Sequence, residues 1–128
     1  MSKSPYNHDV NNPHEAARFD DGKDRMELVP VSMFKALAKV FGAGADKYGD
    51  FNWQKGFPWL QPYASCMRHL TAWWEGEDID QESGLPHIYH AAANIAMLVE
   101  FIDKNKGRDN RLYLQEREWL TERKKKRS

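Results

Sequence analysis

The sequence has a single cysteine, no long apolar run and no excess of charge of either sign. Cys66 alone cannot form an intrachain disulfide, which is typical of a reducing compartment. No stretch approaches the ~20 apolar residues of a membrane-spanning helix, and the polar first residues do not resemble a signal peptide. With 19 basic and 19 acidic residues, the chain is not a globally basic nucleic-acid binder. We therefore expect a soluble, cytoplasmic protein whose partner is neither a membrane nor a nucleic acid.

The sequence also has no internal repeat and no alternation of polar and apolar residues of the kind that marks strands. Its apolar residues recur at helical spacing in four segments, which are predicted to be helices at about 31–49, 60–75, 86–105 and 110–125. We expect an all-α fold, a bundle of about four helices. Residues 1–17, which are polar and interrupted by two prolines, are predicted to be a flexible arm, and residues 18–128 to be a single helical domain.

Three of the predicted helices carry features beyond periodicity. In the first, Gly42 and Gly44 are expected to break the helix or to allow close packing, since glycine in a helix costs about 1 kcal/mol relative to alanine. The second is apolar on two sides, so we expect a homo-oligomer, a dimer or tetramer, with this helix near the interface. The apolar stripe of the third is expected to face the core; it comprises Ile88, Ala91, Ala92, Ile95, Leu98, Val99 and Ile102.

The region between the second and third helices is acidic and is flanked by histidines. From residue 69 to residue 103 there is no lysine or arginine, and five carboxylates fall within 75–82. Like charges at this density repel each other unless solvent or a cation screens them. His87, His90 and Asn94 follow at spacings that place them on one side of a helix. Oxygen donors suit Mg²⁺ or Mn²⁺, and imidazole favours Mn²⁺, so the pattern indicates a site for one of these ions.

The same histidines allow a second interpretation, a structural zinc module. Cys66 and His69 are three residues apart, as are His87 and His90, and together they have a spacing compatible with a Cys-His₃ zinc set. In that case the cluster would stabilise the fold rather than carry out chemistry. Both interpretations remain open from the residues alone.

A set of short motifs occurs in a fixed order between residue 18 and about residue 102. They are Arg18-Phe-Asp-x-Gly-Lys23, Gly44-Ala-Asp-Lys-Tyr-Gly49 with Asn52-Trp53, Arg68-His69-Leu70, Gly76-Glu77, Asp80-x-Glu82-Ser-Gly84 and His87-x-x-His90-x-x-x-Asn94. No single motif is specific, but the ordered set resembles the phage dATP/dGTP diphosphohydrolase family, small proteins related to the MazG-like nucleotide pyrophosphatases. The broader class uses acidic residues where this chain has His87 and His90.

The resemblance implies a helical, oligomeric, metal-dependent enzyme. Such an enzyme hydrolyses purine deoxynucleoside triphosphates to monophosphate and pyrophosphate, and thereby adjusts the nucleotide pool of a phage-infected bacterium, in the host cytoplasm. A nucleotide-binding protein without hydrolytic activity, a sponge or a sensor, is the alternative.

Under the enzymatic interpretation, we expect metal-assisted attack of water on the α-phosphorus. The predicted ligands of Mg²⁺ or Mn²⁺ are Glu77, Asp80, Glu82, His87 and His90, and all of these except His87 are also predicted to be catalytic. The predicted substrate-binding residues are Lys23, Lys47 and Arg68 for the phosphates, Asn52 and Trp53 for the base, and in addition His69 and Asn94.

Overall fold

All regular structure in the described part of the chain, residues 13–14, 16–18 and 21–127, is helical. The structure, a computed structural model, has four long helices: α1 (Val31–Tyr48), α2 (Leu60–Trp74), α3 (His87–Lys104) and α4 (Leu112–Arg127). In the sequence, one short 3₁₀ helix, Met26–Leu28, precedes α1 and a second, Asn52–Lys55, follows it. Two isolated bridges but no strand occur within the described ranges. The all-α prediction is confirmed.

The chain divides into two units, Met1–Met33 and Phe34–Ser128. The first contains the Met26–Leu28 helix, and the second contains most of α1 with the other three long helices. Most of the predicted arm, 1–17, lies outside the described residues, so its flexibility and its boundary stay predictions. No helix in the part of the chain that is described is long and apolar enough to cross a membrane.

Helix α1 runs without interruption through Gly42 and Gly44, so the predicted break is wrong. Close packing is not found either, because a Cβ built on either glycine has no neighbouring atom within 4 Å. The helix ends before Gly49, whose φ of 96° is left-handed and whose N–H donates to the Ala45 carbonyl oxygen at 2.8 Å. Glycine takes this conformation without strain, which explains why the chain leaves the helix here.

Helices α2 and α3 pack against each other as a hairpin. At its open end a Cβ on Gly56 would lie 2.5 Å from the backbone nitrogen of Gly107, so the two segments cross more closely than any larger residue allows. There the N–H of Trp59 donates to the Arg108 carbonyl oxygen and its indole N–H donates to that of Lys106, both at 2.9 Å. These bonds place the start of α2 beside the end of α3, so the two helices are antiparallel. Residues 75–86, which we call the acidic turn, close the other end.

The interior of the hairpin is not where the sequence pattern predicts it. Four residues of the expected core stripe of α3 are 40–64% exposed, so that prediction is wrong for Ile88, Ile95, Val99 and Ile102. Instead α3 turns a different side towards α2, and its buried residues are His87, Ala91, Ala93, Asn94 and Phe101. Small side chains there, with Cys66 buried on α2, let the helices approach closely. Two polar residues thereby lie inside.

Candidate active site

Three histidine rings meet between α2 and α3, close to the acidic turn. His69 comes from α2, while His87 and His90 come from the first turn of α3. His69 Nδ1 lies 2.8 Å from His87 Nδ1. The rings of His69 and His90 are stacked, with centroids 4.5 Å apart and an interplanar angle of 13°. The antiparallel packing thus brings together three predicted site residues, which we call the histidine cluster.

Burial and close contact determine where the hydrogens of the histidine cluster lie. One of the two facing Nδ1 atoms must donate and the other must accept, because a gap of 2.8 Å accommodates only one hydrogen. Burial lowers the pKa of His69, and the charge of His90 lowers it further. Burial also lowers the pKa of His90. At neutral pH, His69 and His90 are therefore neutral, and neutral imidazole can act as a base or as a metal ligand.

The acidic turn folds back onto the start of α3 and holds Asp80 beside the histidine cluster. The backbone N–H of His87 donates to the Asp78 carbonyl oxygen at 2.9 Å, which fixes the turn. Asp80 Oδ2 accepts the N–H of Ser83 at 3.1 Å and lies 3.6 Å from His90 Nε2. Hydrogen bonding by Ser83 lowers the pKa of Asp80, so Asp80 is a carboxylate at neutral pH.

Ser83 contacts the histidine cluster although no sequence pattern had assigned it to the site. Its hydroxyl oxygen lies 2.7 Å from His90 Nε2 and accepts the N–H of Leu85 at 3.1 Å. A hydroxyl or carboxyl residue that caps the backbone a few residues away is a common turn pattern. The spacing of Asp80 and Ser83 is the signal in the sequence that could have found it.

His87 is the most buried member of the histidine cluster, at 6% exposure. Its Nε2 has no hydrogen-bond partner and lies 3.4 Å from Glu77 Oε1. An unpaired buried nitrogen costs about 1–3 kcal/mol, so it calls for an explanation. When His69 Nδ1 donates to His87 Nδ1, the hydrogen of His87 is on Nε2 and Nε2 of His69 is a free acceptor. With the opposite pair of tautomers, Nε2 of His87 is the free acceptor and can bind a metal ion.

The fit of the site to a metal ion rests on two nitrogen–oxygen pairs. Within the described ranges, no three His, Cys, Asp or Glu side chains form a group that could hold a metal. Glu77 Oε1 is 3.4 Å from His87 Nε2, and Asp80 Oδ2 is 3.6 Å from His90 Nε2. Neighbouring ligands of an ion with bonds of about 2.0–2.2 Å are separated by similar distances. The unpartnered His87 Nε2 and the mixed donors fit a divalent ion held by such a pair.

Cys66, the remaining donor of the zinc interpretation, lies in the interior of the hairpin. It is a free thiol, and burial raises its pKa, which favours the thiol over the thiolate that zinc needs. Among the residues that the structure describes, it does not join the histidines in a metal-binding group. The zinc module stays an untested alternative.

Glu82, Lys47 and Lys23 are the remaining predicted charged residues. Glu82 is exposed, and its charge acts on His90 and on Lys47. Lys47 Nζ lies 5.2 Å from the centre of the Tyr48 ring; hydrogen bonding to Tyr48 raises the pKa of Lys47, and Glu82 raises it further. Lys23 belongs to the first unit of the chain, so its contact with phosphate stays a prediction.

A cavity of about 490 Å³, which we call the arginine cavity, is lined by Arg68 and Asn94 together with Gln61 and Ser65. Asn94 Nδ2 donates to Ser65 Oγ at 3.1 Å and to the His90 carbonyl oxygen at 2.9 Å. Asn94 thereby joins the arginine cavity to the histidine cluster. Arg68 makes no hydrogen bond or ion pair within the described part of the chain. Its guanidinium is therefore available to an anionic ligand.

A second cavity, of about 340 Å³, has five aromatic residues among the twelve that line it and contains both residues predicted for the base. Its lining includes Asn52 and Trp53 with Tyr48 and Phe51. Phe51 has a φ of 58°, a left-handed conformation that is rare for a bulky residue. Phe57 and Met97 line both cavities, which are therefore adjacent. We call this one the aromatic cavity.

Comparison with known proteins supports the family that the ordered motifs resemble. The family model described as dATP/dGTP diphosphohydrolase, N-terminal, matches residues 13–111, a range that includes both cavities and the histidine cluster. A protein of Salmonella phage PMBT28 named dATP/dGTP diphosphohydrolase is 30% identical over 94 residues, which cover 73% of this chain and 32% of that protein. The chain thus spans about a third of the length of this curated relative. No solved structure matches the chain. Since the family match covers most of the sequence, the chain belongs to the dATP/dGTP diphosphohydrolase N-terminal family.

Proposed function

We propose that this chain hydrolyses dATP or dGTP to the monophosphate and pyrophosphate and so adjusts the nucleotide pool during phage infection. One observation supports this most: the arginine cavity, with its unpaired arginine, adjoins the aromatic cavity on one side and is linked through Asn94 to a cluster of histidines and carboxylates on the other. Each part of a nucleotide then has a chemically suitable partner. The name of the phage relative supports the same activity.

The base would occupy the aromatic cavity and the phosphates would extend towards the arginine cavity. A volume of about 340 Å³ lies in the range of small-molecule pockets. Trp53 offers a face for stacking a purine, and Asn52 offers an amide that can read its edge. Arg68 would bind the phosphates in a bidentate manner, with Lys47 at the end of α1 as a further cation.

Mg²⁺ or Mn²⁺ would be held by Glu77 with His87 and by Asp80 with His90, with Glu82 close enough to add negative charge. Such an ion lowers the pKa of a bound water and neutralises phosphate charge. The ion is part of the proposal; the unpartnered His87 Nε2 beside Glu77 is the observation in its favour.

The protein side chains would move the proton and fix the geometry. Glu82, an exposed carboxylate of the acidic turn, would accept the proton of the attacking water. With His87 Nε2 bound to the ion, the Nδ1–H of His87 would donate to His69 Nδ1, and the Nε2–H of His69 could donate to a phosphate oxygen. Ser83, whose hydroxyl lies 2.7 Å from His90 Nε2, would give up this contact when that nitrogen binds the ion. Asn94 ties the arginine cavity to the backbone of α3, so it would orient the substrate relative to the histidines.

The decisive experiment incubates the protein with each deoxynucleoside triphosphate and Mg²⁺ or Mn²⁺ and separates the products by chromatography. We expect dAMP or dGMP with pyrophosphate. Glu77→Gln should reduce turnover at least 100-fold, since metal and acid–base groups contribute on that order. Glu75→Gln is the matched control, because Glu75 ends α2 and lies outside the histidine cluster. Undiminished turnover in Glu77→Gln would exclude this mechanism, and free deoxynucleoside with triphosphate would identify a different hydrolase.

A nucleotide-binding protein without activity is the second candidate. The absence, within the described ranges, of a group of three metal-binding side chains favours it. A chelator distinguishes the two functions: an enzyme of the proposed kind loses turnover, whereas a binding protein retains its affinity for dATP or dGTP in calorimetry and never forms pyrophosphate.

A further inference from the structure

Phe51, between α1 and the 3₁₀ helix Asn52–Lys55, is a bulky residue in a backbone conformation that suits glycine. Its φ is 58° and its ψ is 16°, which is left-handed. It is the third residue of a turn that the N–H of Asn52 closes by donating to the Gly49 carbonyl oxygen at 3.3 Å. Glycine or asparagine is usual at a turn position with positive φ, because the Cβ of a larger residue is crowded there. With phenylalanine, the turn forms at a cost in free energy.

The side chain of Phe51 adds a second cost, since it is 70% exposed. An aromatic ring in water leaves a large apolar surface hydrated, which is unfavourable. Strain and exposure therefore occur together at one residue of the aromatic cavity. Strained residues cluster at sites that bind ligands, so the outlier directs attention to what this ring could contact.

Phe51 also differs from the other aromatic residues of the aromatic cavity in its neighbours. The other four rings each pack against a ring or a cation at distances of 5.0–6.1 Å; the pairs are Phe41 with Trp53, Trp53 with Phe101, Phe57 with Phe101, and Tyr48 with the ammonium of Lys47. Phe51 has no such partner within the part of the chain that the structure describes. Its ring thus lines a cavity without a ring or a cation to stack on.

We propose that Phe51 stacks on the purine base in the aromatic cavity and is the residue that holds the base there. This inference rests on the proposed function, which puts a purine in that cavity. Trp53 packs against the fully buried Phe101 and so belongs to the inner wall, whereas Phe51 is at the exposed side. Asp50 and Asn52, its neighbours in the chain, also line the cavity and offer polar groups to the edge of the base. A bound base would cover the exposed ring and offset both costs.

Calorimetric titration of the full chain with dAMP and dGMP tests the inference without requiring hydrolysis. Phe51→Gly removes the ring and supplies a residue that takes the positive φ without strain. We expect the dissociation constants of both nucleotides to rise at least about 10-fold, because stacking on an aromatic side chain contributes on that order per base. Phe51→Tyr should bind as wild type does. Affinity for inorganic triphosphate, which has no base, should stay unchanged in both variants.

Asn105→Gly is the matched control. Asn105, with a φ of 53°, is the other non-glycine residue of positive φ within the described ranges, and it lines neither cavity. This variant should bind both nucleotides like wild type. In urea, Phe51→Gly should unfold at no lower a concentration than wild type, since relief of strain offsets the freedom that glycine gains in the unfolded chain. A destabilised Phe51→Gly that also loses inorganic triphosphate would assign the ring to the fold and overturn the inference.

Turnover provides a separate measurement. Where the wild type forms pyrophosphate, Phe51→Gly should raise KM by the same factor and change kcat by less than about threefold, because a contact to the base is equal in the ground state and the transition state. A wild type that binds dAMP and dGMP but forms no pyrophosphate contradicts the proposed function, and the titration alone then decides the role of Phe51. Undiminished affinity of Phe51→Gly for both nucleotides would overturn the inference, as would a wild type that binds neither.

Discussion

The α2–α3 hairpin has polar residues on its inner side and large apolar residues on its outer side, which is the reverse of the distribution in most helix pairs. The inner side holds imidazoles and an amide, His87 and Asn94 among them, together with small apolar groups. The outer side holds aliphatic and aromatic residues that are 40–82% exposed. Burial of polar groups is unfavourable unless they are hydrogen-bonded; here the bonds of Asn94 and the pairing of His69 with His87 meet that requirement for every buried nitrogen of these residues except His87 Nε2. On the proposed function the chemistry belongs to the inner side, whereas the large apolar residues of the outer side take no part in it.

The largest effect is expected on the inner side, for His90→Ala. This change removes the ring that stacks on His69 and contacts Ser83. We expect turnover to fall at least 100-fold, about 3 kcal/mol in the barrier, while the sedimenting mass stays that of wild type. Product chromatography and sedimentation of the same sample check both. If activity and mass fall together, the two sides of the hairpin are not separate in function.

A stability effect is expected where the two helices are held together, at Gly56. Gly56→Ala puts a Cβ at 2.5 Å from Gly107 and requires alanine at a φ of 96°. We expect a loss of about 2–4 kcal/mol in the free energy of unfolding, measured by urea denaturation. The matched control is Gly44→Ala in α1, which has open space around it. That variant should gain up to about 1 kcal/mol, and equal effects in the two variants would argue against the close crossing.

A smaller loss of stability is expected at acidic pH, and it arises from the histidines of the inner side. The pKa of His69 and of His90 in the folded chain lies below the ordinary 6.5. The unfolded chain therefore binds more protons below about pH 6.5, so stability falls as the pH drops through 6.5 towards the lower folded pKa. Thermal melting between pH 7.5 and 5 should show this decline. His69→Gln should reduce it, whereas Val99→Ile, at an exposed position of α3, should melt with the pH dependence of wild type.

The sequence predicts the helices well because their ends depend on local signals. Gly49 stops α1, and Pro86 precedes α3. The side of α3 that is buried was predicted wrongly, since periodicity shows which side is apolar but not what covers it. His87 and His90 could be paired from their spacing, but the contact of His69 with them depends on the crossing of Gly56 and Gly107, far away in the sequence. Ser83 enters the site through turn geometry, which residue type alone does not reveal.

The 2.8 Å approach of the two Nδ1 atoms has a consequence for the tautomers of both rings. The ring whose Nδ1–H donates has a free lone pair on Nε2, and the ring whose Nδ1 accepts carries its hydrogen on Nε2. The two tautomers are therefore linked across the gap between the helices. A ligand that binds the Nε2 lone pair of one ring thereby fixes the hydrogen of the other ring on its own Nε2.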